Sequence, residues 1–194
     1  MTLTYPGLFA CSILLTAAPA WSATVFSDPL LFNAEVAPGA YTDTFDSPED
    51  PSFSMNGFSY DASAGTGSVY LQDGIIGTFL PNETFILTFT SDNVTAVGGN
   101  FFISNDNGEF IPAELGVTLS DGTVDTWTPA SPAEFRGYIT SAEGPFITSL
   151  VLAAPGPDQY NNVDNLTVGA AVPEPTTGLL AAALLALPLR RRRR

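Results

Sequence analysis

The sequence predicts an all-β domain, a single antiparallel β-sandwich or jelly roll flanked by two targeting segments. Three observations predict it: short stretches in which apolar and polar residues alternate, Gly, Pro, Asn and Asp clusters between them, and no stretch of useful length with helical periodicity. Phe85, Leu87 and Phe89 share one face while Ile86, Thr88 and Thr90 share the other, the two-residue period of a strand. Val97, Phe101 and Ile103 continue the pattern across Gly98-Gly99, and Asn105-Asp106-Asn107-Gly108 supplies the following turn. Residues 117–120 and 123–127 flank Asp121-Gly122, a pair suited to the two positive φ angles of a type I′ hairpin. Further strands fit 57–60, 68–72, 135–139, 146–152 and 163–168. Many short strands with regularly spaced turns favour a sandwich over an α/β fold.

The chain divides into residues 1–22, 23–171 and 172–194. Residues 8–18 are an apolar run followed by Ala18-Pro19-Ala20 and Ala20-Trp21-Ser22, small residues at the positions a signal peptidase reads, so cleavage between Ala20 and Ala23 is expected. No Lys or Arg precedes that run.

What remains is about 150 residues, enough for one domain with a real core. It holds 19 of the chain's 20 acidic residues and one base, Arg136, a formal charge of −18. Such a surface repels nucleic-acid phosphates and anionic membranes. The chain has no His and no Lys, and its one Cys, Cys11, lies in the leader. His-based triads, thiol nucleophiles, His/Cys zinc sites, Schiff bases and disulfides are therefore excluded from the domain. Carboxylate chemistry is left: oxygen-ligand cation binding or a paired-acid glycoside hydrolase. Pairs such as Asp46 with Glu49 or Asp121 with Asp125 could serve the latter, but close pairs arise by chance among so many carboxylates. An enzyme is not expected.

The C-terminal segment begins with Val172, Pro173, Glu174 and Pro175, continues through the apolar residues 176–189 and ends in Arg190, Arg191, Arg192, Arg193 and Arg194. The order and spacing resemble the sorting signal of PEP-CTERM proteins, which implies recognition by a membrane-embedded exosortase-type enzyme, with the arginines retained on the cytoplasmic side. The 14 residues of 176–189 span roughly 21 Å as a helix, short of the ~30 Å hydrocarbon core, so the segment reads as a transient transmembrane handle rather than a permanent anchor. The strand pattern of 44–168, with Thr44-Phe45-Asp46, Phe135-Arg136-Gly137-Tyr138 and Val163-Asp164-Asn165-Leu166, looks like the jelly-roll, carbohydrate-binding-like ectodomains of many PEP-CTERM proteins. Together the resemblances imply an exported protein of the cell surface or exopolysaccharide matrix, structural or adhesive in role, with a calcium-assisted carbohydrate-binding module as the alternative.

Three features could carry ligand chemistry. Asp164 has the parity of Leu166 and Val168, so with that face inward its carboxylate would need neutralising, by calcium for instance. The competing reading places Asp164 at a strand start, in a turn with Asn161 and Asn162. Trp127, with Val124 inward, would turn its ring outward to stack on sugars, as could Tyr138; a bulge would bury Trp127 instead. Asn105-Asp106-Asn107-Gly108-Glu109 is oxygen-rich but lacks the ligand spacing of an EF-hand and suits an exposed hairpin. The glycosylation patterns at Asn82, Asn93 and Asn165 are discounted, since the sorting signal implies a bacterium.

Mass spectrometry of protein recovered from its native cell is expected to find an N-terminus between residues 21 and 24 and no arginine tail. Recovery of intact 190–194 in the mature protein would contradict the sorting reading.

Overall fold

The computed structural model describes residues 22–46, 52–142, 144–153 and 156–173. Val172 and Pro173 fall inside this set; Glu174, Pro175, the apolar 176–189, the arginines 190–194 and the leader through residue 21 lie outside the described residues. Among the described residues no helix is long and apolar enough to cross a membrane.

The chain runs β1 (Thr24–Phe26), α1 (Pro29–Ala34), β2 (Tyr41–Asp43), β3 (Ser52–Met55), β4 (Phe58–Ala64), β5 (Val69–Gln72), β6 (Ile75–Thr78), β7 (Phe85–Phe89), β8 (Ala96–Ser104), β9 (Phe110–Ile111), β10 (Leu115–Leu119), β11 (Val124–Trp127), β12 (Phe135–Ile139), β13 (Ser149–Ala153) and β14 (Tyr160–Gly169). One sheet has the order β1-β12-β8-β14-β6-β5, with β2 added on β14 and β9 on β8; the other has the order β11-β10-β13-β7-β4-β3. All pairings are antiparallel. The two layers form a β-sandwich.

Alternation in sequence becomes burial in space. Phe85, Leu87 and Phe89 on β7, Leu115, Val117 and Leu119 on β10, and Leu150 and Leu152 on β13 meet Val97, Phe101 and Ile103 on β8 and Val163, Leu166 and Val168 on β14 in one core. Each such side chain contributes about 1.5–3 kcal/mol on burial, far more than a strand propensity, so the period-two pattern decides which face turns inward.

Two turns are true type I′ hairpins: Asn56-Gly57 between β3 and β4, with φ of 55° and 85°, and Asp73-Gly74 between β5 and β6, with φ of 54° and 78°. The Asp121-Gly122 hairpin exists, but only Gly122 has positive φ, at 89°. Its Asp121 carboxylate accepts from the Thr123 N–H at 2.8 Å and the Thr123 hydroxyl at 2.9 Å, and Gly122 N–H donates to Leu119 O while Leu119 N–H donates to Thr123 O. That is a type I turn closed by a left-handed glycine rather than type I′.

A bulge overturns the expectation for Asp164. Pairing of β14 with β8 runs to Asp164 opposite Asn100 and resumes with Thr167 opposite Gly98, so Asn165 and Leu166 together oppose Gly99. Asn165 takes a φ of 50°, and a Cβ on Gly99 would sit 3.2 Å from Asp164 O. The extra residue reverses the parity: Val163 and Leu166 both point inward, and Asp164 points out in mid-strand.

Helix α1 covers one end of the first sheet's outer face. Asp28 caps it, its carboxylate accepting from Leu30 N–H at 2.8 Å and Leu31 N–H at 3.4 Å, and Pro29 starts it with φ already set. Phe32, fully buried, lies 5.9 Å from the Phe26 ring and 5.2 Å from that of Phe135. Its seat is made by Gly137, where a Cβ would come within 2.5 Å of the Phe32 ring. Among the described residues no helix covers the opposite end of that outer face.

The two layers are joined at their open side by the domain's one base. Arg136 on β12 donates from Nε to Asp125 Oδ2 at 2.7 Å and from Nη2 to Oδ1 at 3.2 Å, across to β11. Replacing Arg136 with Met is expected to lower unfolding free energy by about 2 kcal/mol in urea, since it strands a half-buried carboxylate, while the double variant R136M/D125L should lose less than the two single changes summed. Strict additivity would show that the pair is not coupled.

Candidate functional site

On the uncovered end of the first sheet a groove of about 530 Å³ opens, within the range of ligand sites. Its floor follows from the β5–β6 hairpin. The register puts Tyr70 opposite Gly77 and Leu71 opposite the buried Ile76, so Tyr70 faces out. Gly77 has no side chain to obstruct the Tyr70 ring; a Cβ there would lie 2.5 Å from Asn162 Oδ1, 2.7 Å from Asn161 O and 3.0 Å from Tyr70 Cε1. The Tyr70 hydroxyl donates to Asn162 Oδ1, and Asn162 Nδ2 donates to Ser104 Oγ and Tyr160 O, both at 2.9 Å. Asn162 is fully buried yet partnered on both its oxygen and its nitrogen, so the floor is rigid.

The walls mix apolar and polar groups. Tyr160 and Ile75 are half-buried, and Phe79, at the end of β6, is 62% exposed. Gln72, Asp73, Asp106 and Asn107 stand exposed along the rim. The 105–109 turn organises itself: Asn105 Oδ1 accepts from the Asn107 and Glu109 N–H groups, both at 3.0 Å, and Asn105 Nδ2 donates to Glu109 Oε2 at 3.0 Å. It forms the exposed turn between β8 and β9, with its asparagine oxygen engaged by backbone.

Aromatic faces beside amide and carboxylate groups suit the C–H faces and hydroxyls of a polyol. The acidic rim disfavours phosphate and other anions. Imidazole, thiol and amine side chains do not occur in the domain, burial pushes the Tyr70 phenol up, and four carboxylates are engaged outside the groove, Asp43 with Tyr60, Asp121 with Thr123, Asp125 with Arg136 and Glu83 with Thr66.

Among solved structures, the chain is similar in strand arrangement to family 29 carbohydrate-binding modules. One is 14% identical with a TM-score of 0.40, the match covering 66% of this chain and 86% of that one. A variant complexed with cellulohexaose is also 14% identical at a TM-score of 0.40, covering 68% of this chain and 92% of its own. Another, complexed with mannohexaose, has 14% identity, a TM-score of 0.41 and coverages of 66% and 89%. No family model matches the chain, and comparison with curated proteins gives no relative. Similarity this distant carries nothing about the site, whose chemistry rests on its own residues.

Of the residues singled out in the sequence, Asn105 to Gly108 line the groove, while Trp127, Tyr138 and Asp164 lie elsewhere. Trp127 pairs with the buried Leu115 and so faces inward, while Val124 is 68% exposed; the parity was sound but anchored on the wrong residue, and no bulge is needed. Its ring packs against the core beneath the Arg136 guanidinium, 4.9 Å from the ring centroid, the geometry of a cation–π contact. Tyr138 is fully buried, and its hydroxyl donates to Asp125 Oδ2 at 3.2 Å; desolvation and that carboxylate push its phenol far up. Neither ring is a platform for sugar. Asp164, half-buried on the outer face, has its carboxyl raised by desolvation and by Asp46. Among the described residues no three His, Cys, Asp or Glu side chains converge.

Tyr70, Gly77, Phe79, Tyr160 and Asn162 escaped the sequence reading. Asp73-Gly74 was their available signal, a hairpin dipeptide that would have set Tyr70 against Gly77.

Gly77→Ala is expected to cost about 2 kcal/mol by overpacking, and Tyr70→Phe about 1 kcal/mol, both measured by urea unfolding. For Asp164 the sign runs opposite to an ion-paired carboxylate. Its folded carboxyl is raised above the ordinary 3.8, so ionisation opposes folding at neutral pH and the penalty fades as pH falls through the raised value. Asp164→Asn should therefore raise the melting midpoint at about pH 7 and leave it unchanged at about pH 3.

Proposed function

We propose that the domain is a non-catalytic polysaccharide-binding module, holding neutral glycan chains in the groove between Tyr70, Tyr160 and Phe79 on one side and the 105–108 turn on the other. The observation that carries this reading is the rigid-floored combination of aromatic rings with hydroxyl-bonding amides and carboxylates on a sheet face that no described helix covers. The terminal segments support delivery of this module to the cell surface or extracellular polysaccharide matrix, with a signal peptidase and an exosortase-type enzyme as processing partners and only transient membrane attachment. Contact with matrix polysaccharide gives the protein a structural, adhesive role.

Calcium assistance is a second reading, favoured by one observation, the desolvated Asp164 carboxyl near Asp46. A calcium-induced rise in the melting midpoint, lost in Asp164→Asn, would support it, and equal midpoints with calcium and with EDTA would refute it.

Affinity electrophoresis through gels containing neutral polysaccharides tests the main reading. The wild type should be retarded by at least one such polysaccharide, and Phe79→Ala should weaken that binding about tenfold, roughly 1.4 kcal/mol. Unretarded migration in every gel, or equal retardation of the variant, would refute it.

A further inference from the structure

A second cavity, of about 260 Å³, opens at the end of the sandwich where β2 and β3 approach, lined in part by Tyr41, Asp43, Asp46, Phe53 and Met55. Its most informative atom is the Tyr41 hydroxyl. Tyr41 is only 8% exposed, and among the described residues its buried oxygen has no hydrogen-bond partner, a costly arrangement for a polar group unless a water or ligand supplies the missing bond.

The surrounding groups are held in place. Asp43 Oδ2 accepts from the Tyr60 hydroxyl at 2.8 Å and Oδ1 from Phe45 N–H at 3.0 Å. Phe45 is buried with a φ of 53°, unusual for a bulky residue. Asp46 Oδ2 accepts from the Thr44 hydroxyl at 2.7 Å. Phe53 stacks on Tyr60, ring centroids 4.8 Å apart and planes at 17°. Met55 is 56% exposed. Each carboxylate keeps lone pairs for a further donor.

The position of the cavity relates it to the groove. Asp73 lies on the groove's rim, while a Cβ on the next residue, Gly74, would lie 3.2 Å from Thr44 O and 3.6 Å from Asp46 Oδ1, both residues of the cavity lining. The β5–β6 turn therefore lies between the groove's rim and two residues of the cavity lining. A Cβ at Gly74 would crowd those two residues, and its φ of 78° is one that L side chains rarely adopt.

We infer that this cavity is a second sugar subsite, taking a single neutral hexose unit, with Asp43 and Asp46 accepting from its hydroxyls, Tyr41 donating to one of its oxygens, and Phe53 and Met55 meeting its C–H groups. The inference rests on the glycan-binding reading of the groove and extends it, since a chain crossing the 73–74 turn would place a terminal sugar in the cavity. Carboxylates on its walls disfavour an anion. Two linked subsites raise affinity for a polymer above that of either one, by making the second contact intramolecular.

The test uses free hexoses, glucose, mannose and galactose, with saturation-transfer NMR on the folded domain. At least one should bind. Tyr41→Phe, which removes only the unpartnered hydroxyl and should melt no lower than wild type, should weaken that binding about tenfold, and Asp46→Asn should weaken it as well. Phe79→Ala should leave hexose binding intact while weakening retention by polysaccharide. No hexose signal, or a signal unchanged by both Tyr41→Phe and Asp46→Asn, would overturn the subsite. Loss of hexose binding in Tyr41→Phe with polysaccharide retention indifferent to Phe79→Ala would uphold the cavity and instead refute the groove.

Discussion

One guanidinium holds a disproportionate share of this fold together. A sandwich whose formal charge is −18 pushes its own surfaces apart, and Arg136 is the one cation available to draw them together. It stands on β12, reaches Asp125 on β11 in the other layer through two hydrogen bonds, and lies on the Trp127 ring. Tyr138 adds its hydroxyl to the same carboxylate. Both charged side chains are largely shielded, at 19% and 15% exposed, so the attraction is stronger than at an open surface, while the neighbouring donors satisfy groups that burial would otherwise penalise. Trp127 and Tyr138 are built into that closure, and the groove opens on the outer face of the first sheet.

The same economy shapes the functional face. Helix α1 needs only six residues because Phe32 fills the seat over Gly137 that the sheet prepares for it, and it leaves the rest of the outer face open. There the sheet supplies its own floor: Gly77 clears space, Tyr70 crosses it, and the buried Asn162 links Tyr70 to Ser104. A polar network under an aromatic surface resists deformation and holds the rings of the groove in place, which would lower the ordering cost of the binding proposed above.

Much of the architecture is legible in the sequence because burial is worth more than local preference. The alternation at 85–89 and the apolar residues 97, 101 and 103 announce core strands and occupy them. Parity arguments fail where the register is not a property of one strand alone. Asp164 is turned outward by a bulge set against Gly99, and the sequence of 163–168 carries no mark of it. Trp127 is turned inward because Val124, apolar by type, is an exposed edge residue. Short elements such as β1, β9 and α1, at three, two and six residues, are too brief to show a period. The groove itself was hidden for a further reason: its residues come from β5, β6, β8 and β14, far apart in sequence and adjacent only through sheet order.

Backbone amide chemical shifts followed during titration with a neutral oligosaccharide test the central claim most directly, because they locate the ligand without assuming it. The account predicts shifts concentrated at residues 70–79, 104–108 and 160–162, extending to 41–46 across the 73–74 turn. Shifts gathered instead around Trp127 and Arg136, or none at saturating ligand, would contradict it.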